Sequence, residues 1–127
     1  PRDLEKRTVE LARRDTLTKE TVSKDDIVSR VQDLLVEMQK SLFDKAKSFR
    51  DTHITEVETY DEFKDILENK TGFVSAFWDG TKETEERIKT ETKATIRCIP
   101  LNVKEEEGVC VYSGKPAKMR VLFAKAY

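Results

Sequence analysis

Residues 53–78 read HITEVETYDEFKDILENKTGFVSAFW, and along them the hydrophobic period changes twice. HITEV alternates as a strand does; Thr59 and Glu62, three apart, form a capping pair, and Tyr60, Phe63, Ile66 and Leu67 then fall on one helical face. Gly72 opens GFVSAFW, an apolar run suited to a central strand, because a strand covered on both faces needs no polar alternation. Strand, helix and strand in so short a space mark the start of a layered α+β unit.

Downstream the pattern continues. Residues 81–92, TKETEERIKTET, are helical in propensity with Ile88 almost the only apolar anchor, which predicts a surface helix. TIRCIPL is a further strand closed by Pro100, KEEEG a solvated turn, VCVYSG a short strand or knuckle, and AKMRVLFAKAY a last strand reaching the chain end. The order predicts a two-layer β-α-β-α-β-β sandwich over residues 53–127. The terminal stretch carries Lys115, Lys118, Arg120 and Lys125 and no acid, as expected of an edge strand whose charges discourage pairing with another chain. A strand held in a sheet to its end would also fix the position of the Tyr127 carboxylate.

Upstream, TVELARRD (8–15) alternates Val9 and Leu11 with Thr8 and Glu10, and TKETVS (18–23) follows a polar break, which predicts a β-hairpin. Ser23 and Asp26 resemble a capping box, after which Ile27, Val31, Leu34, Leu35, Met38, Leu42, Ala46 and Phe49 recur at spacings of three and four. This is one long amphipathic helix ending near Arg50, about 40 Å long. A lone hairpin cannot cover such a stripe, so residues 1–52 read as the C-terminal portion of a larger α/β domain. The fold class expected is therefore α/β plus α+β, with the second unit beginning at His53.

Composition narrows the functional classes. With 24 Lys and Arg against 25 Asp and Glu, no bulk field draws the chain to nucleic acid or anionic lipid, and any such binding must be local. The start, PRDLEKRTVE, has neither the apolar run of a signal peptide nor an initiator methionine, so a cytosolic chain cut from something longer is expected, with no membrane partner. Cys98 and Cys110 then read as reduced thiols, and the single histidine, His53, as a structural residue without the neighbours a ligand or base needs. No Gly-rich phosphate loop, HExxH or GxSxG occurs, so catalysis is not expected from these residues alone.

Two constellations remain. Cys110 and Ser113 have the spacing of half a zinc knuckle, and FWDGTKETEE offers Asp79 and Thr84 where a first pair would be sought; one sulfur in four positions is not a zinc site. Asp79 would instead cap the helix beginning near Thr81. Arg2, Lys6, Arg7, Arg13, Arg14 and Lys19 could line one edge of the hairpin and meet phosphates or guanines, although Asp3, Glu5, Glu10, Asp15 and Glu20 are interleaved.

PRDLE, FRDTHITEVETYDEFK, TKATIRCIP and EEEGVCVYSGKPAKMRVLFAKAY, taken in order, resemble the C-terminal part of prolyl-tRNA synthetases of the archaeal and eukaryotic-like class II form. The resemblance implies an α/β anticodon-binding domain ending within residues 1–52 and an appended α+β domain over residues 53–127. It implies a homodimeric ligase whose catalytic domain, elsewhere in the same chain, uses ATP and magnesium to join proline to its tRNA. It makes Arg2, Arg14 and Lys19 candidate tRNA contacts and sends the Tyr127 carboxylate towards the catalytic domain. It also aligns Asp79, Thr84, Cys110 and Ser113 with the four cysteines of zinc-bearing relatives, three of which are replaced here. The competing expectations are a free-standing RNA-binding module and a purely structural one.

Overall fold

The computed structural model describes residues 5–101 and 106–125. It divides into two compact units, Pro1–Phe49 and Arg50–Tyr127.

In the first unit, strands β1 (Thr8–Ala12) and β2 (Lys19–Ser23) form the expected antiparallel hairpin, pairing Val9 with Val22 and Leu11 with Glu20. Helix α1 spans Ile27–Thr52, its last three residues falling in the second unit. The expected capping box at Ser23 does not form. The Ser23 hydroxyl accepts from the Asp25 amide at 3.2 Å and its carbonyl from the Asp26 amide at 3.1 Å, so Ser23 shapes the turn before the helix. Leu34 is the one buried residue of α1, while Leu35, Val36, Phe43 and Phe49 on the same helix are each more than half exposed. Ion pairs link the hairpin to the helix in this unit. Arg13 meets Asp15 and Glu37, and Arg30 meets Glu37 and Glu20, at 2.7–2.9 Å.

The second unit alternates strands and helices as expected: β3 (Ile54–Glu56), α2 (Tyr60–Asn69), β4 (Phe73–Phe77), α3 (Lys82–Thr92) and β5 (Ala94–Cys98). The Thr59 side chain accepts from the Glu62 amide while the Glu62 carboxylate reaches back to the Thr59 amide, the reciprocal cap that the sequence predicts. At Gly72 φ is +123° and a Cβ would lie 2.2 Å from the His53 carbonyl oxygen, which accepts the Phe73 amide at 2.8 Å; only glycine lets β3 and β4 close there.

The remaining strands depart from expectation in pairing. Gly108–Val109 (β6) does not pair with the final strand but with Pro116–Ala117 (β7), as a small separate sheet. The final strand, β8 (Arg120–Lys125), is not an edge: the main sheet runs β3-β4-β8-β5, and β8 is antiparallel to both neighbours. Its charge at Arg120 is absorbed rather than displayed. The Arg120 guanidinium lies 4.1 Å from the centre of the Phe77 ring, donates to the Val57 carbonyl at 3.2 Å and pairs with Glu58.

One face of this sheet carries both helices. Val74 and Ala76 of β4 and Val121 and Phe123 of β8 meet Phe63 of α2 and Ile88 of α3 in one core. Phe63 and Phe123 are wholly buried and pack edge to face, with ring centres 5.1 Å apart. In a second cluster Phe77 packs with Cys110 and Ala117 of the knuckle.

Candidate functional site

The four positions suggested as remnants of a metal knuckle include three that are joined directly. Phe77 ends β4, and the chain turns through Trp78, Asp79 and Gly80 into α3. Asp79 does not itself cap that helix. Thr81 is the cap, its hydroxyl accepting from the Thr84 amide at 3.4 Å, and Asp79 sits behind it. One carboxylate oxygen of Asp79 accepts from the Thr81 amide at 3.0 Å and hydroxyl at 2.8 Å; the other accepts from the Thr84 hydroxyl at 2.9 Å and the Ser113 hydroxyl at 2.6 Å. Burial pushes the Asp79 carboxyl up, but the hydrogen bonds from Ser113, Thr81 and Thr84 together outweigh it and hold the group down from 3.8 to about 2.

Cys110 holds the turn that presents Ser113. Its amide donates to the Lys115 carbonyl at 2.8 Å and its carbonyl accepts from the Gly114 amide at 3.1 Å, while its side chain is buried against Phe77 and Ala117. These residues do not fit a zinc ion. Both Asp79 oxygens are already doubly occupied, Thr84 and Ser113 offer neutral hydroxyls turned towards Asp79, and a lone thiol completes no tetrahedral set. Among the described residues no cluster of three or more His, Cys, Asp or Glu converges. The knuckle is instead tied to the start of α3 through one ionised carboxylate.

A second junction, which sequence reasoning missed, lies elsewhere in the same unit. The Tyr60 hydroxyl of α2 and the Tyr112 hydroxyl of the knuckle both donate to Glu91 of α3, at 2.8 and 2.7 Å, and the two rings meet edge to face at 5.0 Å. The bonds from Tyr112 and Tyr60 lower the Glu91 carboxyl; burial, then Glu91 itself, raise the Tyr60 hydroxyl. The sequence places Tyr60 on a helical face and Tyr112 in the knuckle, but not their meeting. The long separations, 31 and 21 residues, hid the shared partner.

The hairpin residues are placed as follows. Arg14 lies in the exposed turn after β1 and, among the described residues, makes no ion pair. Its neighbour Arg13 is locked between Asp15 and Glu37. Lys19 begins β2 and pairs with Glu10 at 3.2 Å across the hairpin, both side chains more than half exposed. Arg7 likewise meets Asp25. Among the described residues, Arg14 is thus the hairpin guanidinium without an ion pair, beside Arg7, Arg13 and Lys19, which are paired. Arg2 and Tyr127 lie outside the described residues. Trp78 packs against the core and donates its indole N–H to the Thr81 carbonyl at 3.2 Å. Cys98 is exposed and Cys110 buried, and the two form no disulfide.

Comparison with known proteins accounts for the whole chain. A family model described as "Prolyl-tRNA synthetase, C-terminal" matches residues 60–127. The proline–tRNA ligase of Flavobacterium psychrophilum is 63% identical over 127 residues, all of this chain and 26% of the relative. That of Christiangramia forsetii is 61% identical over the same span, again 26% of the relative, and that of Porphyromonas gingivalis 58% over 126 residues, 25% of the relative. The chain spans about a quarter of the length of the curated relatives it matches. No helix among the described residues is long and apolar enough to cross a membrane. With its two-helix sheet unit falling almost wholly inside the matched residues, the chain belongs to the family of prolyl-tRNA synthetase C-terminal regions.

Proposed function

We propose that this chain is the C-terminal quarter of a proline–tRNA ligase of the archaeal and eukaryotic-like class II form. The observation that carries the ligase part of this reading is identity of 58–63% to proline–tRNA ligases over essentially every residue, not merely over the matched domain; the archaeal and eukaryotic-like class II form rests on the residue resemblance alone. On this reading residues 1–52 close an anticodon-binding domain and residues 53–127 form the appended domain. ATP, magnesium and proline are handled by the catalytic domain of the same chain, in a cytoplasmic homodimer, and these residues bind none of them.

Arg14 is the described hairpin residue best suited to meet the proline tRNA, because an exposed guanidinium with no ion-pair partner among the described residues can form two charge-assisted bonds to a phosphate or a guanine edge. Lys19 is a weaker contact, since RNA must compete with Glu10 for it. Arg2 and the Tyr127 carboxylate take the roles that the family resemblance gives them, anticodon contact and a reach towards the active site. The knuckle is a zinc-free version of a cysteine site: the carboxylate of Asp79 gathers the hydroxyls of Thr84 and Ser113 and links the same two segments that an ion would link.

The test is proline-dependent exchange of pyrophosphate into ATP by the full-length protein, with zinc determined on the same preparation. Exchange driven by proline with negligible zinc is expected. Exchange with no amino acid would leave an RNA-binding or structural module, and stoichiometric zinc would overturn the account of the knuckle.

A further inference from the structure

Several cations on the helices of the second unit and at the start of β8 are paired: Lys64 meets Asp61, Lys82 meets Glu86, Arg87 meets Glu83, and Arg120 meets Glu58 and Glu106, whereas Lys89, Lys93, Lys115 and Lys118 make no ion pair among the described residues but line no common groove with one another. At the end of the sheet where β4 begins and β8 finishes, Lys70, Arg97 and Lys125 line a single groove of about 780 Å³. Among the described residues none of these three makes an ion pair, and no acid lines the groove. Three elements supply the charges: the end of α2, strand β5 and the end of β8. The rest of the lining includes Leu67, Ala124 and Phe73, the last 37% exposed.

We infer that this groove binds the phosphodiester backbone of RNA, as a second contact on the second unit separate from the hairpin. Like charges held around one concavity without counterions raise the local potential, and a polyanion relieves their repulsion while releasing its own condensed ions. The exposed Phe73 favours RNA over an acidic protein surface. Grooves for unpaired strands combine backbone-tracking cations with an aromatic face on which a base stacks, and a carboxylate-rich peptide would leave that ring without a matching partner. The inference rests on the ligase reading for the identity of the RNA, a proline tRNA.

The test measures binding of transcribed proline tRNA by the full-length ligase as a function of salt. Removing the charges with Lys70→Ala, Arg97→Ala and Lys125→Ala should weaken binding about tenfold or more at about 0.1 M salt. It should also flatten the slope of log K against log salt by about 2, at roughly 0.7 for each phosphate no longer neutralised. The charge-keeping set Lys70→Arg, Arg97→Lys and Lys125→Arg should bind as the parent does; equal weakening in both sets would overturn the inference, because charge would not be the cause. Parent binding that survives the alanine set with its slope intact would overturn the groove and leave the ligase reading standing, whereas a parent that binds no tRNA overturns both. Protection of the groove by polyglutamate without any effect of the alanine set on tRNA would overturn the inference in favour of an acidic protein.

Discussion

Leu34 and Phe63 are each the one buried residue of an amphipathic helix, and their surroundings differ. Phe63 stands in a ten-residue helix and is wholly enclosed, with Ile66 and Leu67 of the same helix packed on the core beside it. Leu34 stands in a helix of 26 residues on which Leu35, Val36, Phe43 and Phe49 are 62%, 72%, 61% and 65% exposed. The second unit has buried the apolar face that its sequence encodes; the first has encoded a face that its hairpin does not cover. An apolar stripe this long is normally paired with other elements of a domain. That is the physical content of reading residues 1–52 as part of a larger domain; here the hairpin meets the helix through ion pairs such as Arg13–Glu37 and Arg30–Glu20.

The contrast can be broken most severely in the second unit's core. Phe63→Ala removes a wholly buried ring that packs on Phe123 and should cost about 3–5 kcal/mol, read by urea unfolding with the single tryptophan, Trp78, as reporter. Gly108→Ala comes next. Its Cβ would lie 2.4 Å from the Phe77 ring, which is pinned by Arg120 on one side and the knuckle on another, so the variant should be less stable by about 1–3 kcal/mol.

Asp79→Asn should cost about 1–2 kcal/mol, because an amide oxygen accepts these hydroxyl bonds more weakly and its nitrogen offers a donor where acceptors are needed. The pH dependence follows from the lowered carboxyl. Its contribution is complete above the unfolded value of 3.8 and is lost as the pH falls through about 2, so parent and Asn variant should converge in stability across that interval. The smallest effect sharpens the comparison from the other side: Phe43→Gln should change the stability of this chain by less than about 0.5 kcal/mol, yet destabilise the full-length protein if a larger domain covers that face there, as the reading of residues 1–52 requires.

How much of this was legible depended on the range of the interaction. The reciprocal cap at Thr59 and Glu62, the strand opened by Gly72 and the anchor at Ile88 are local, and the residues alone predict them. At Ser23 a similar spacing predicts a box that does not form, because the hydroxyl is used two residues on to make the turn. The central place of β8 was hidden by its charges. Arg120 looks like an edge residue until Glu58, 62 positions away, and the Phe77 ring are found beside it. The candidate site shows the same limit: Asp79 with Thr81 and Thr84 reads as a helix start, but the bond from Ser113 crosses 34 residues and joins two segments that no local pattern connects. For the hairpin, spacing named Arg13, Arg14 and Lys19 alike, and only the folded arrangement separates Arg14 from the two held by acids.

Amide hydrogen exchange, compared between this 127-residue chain and the full-length protein, tests the central claim most directly. The account predicts that amides of residues 28–49 exchange much faster in the short chain and gain protection in the long one, while those of β4 and β8 are equally protected in both. Equal protection of residues 28–49 in the two would mean that the first unit is already complete, and would contradict it.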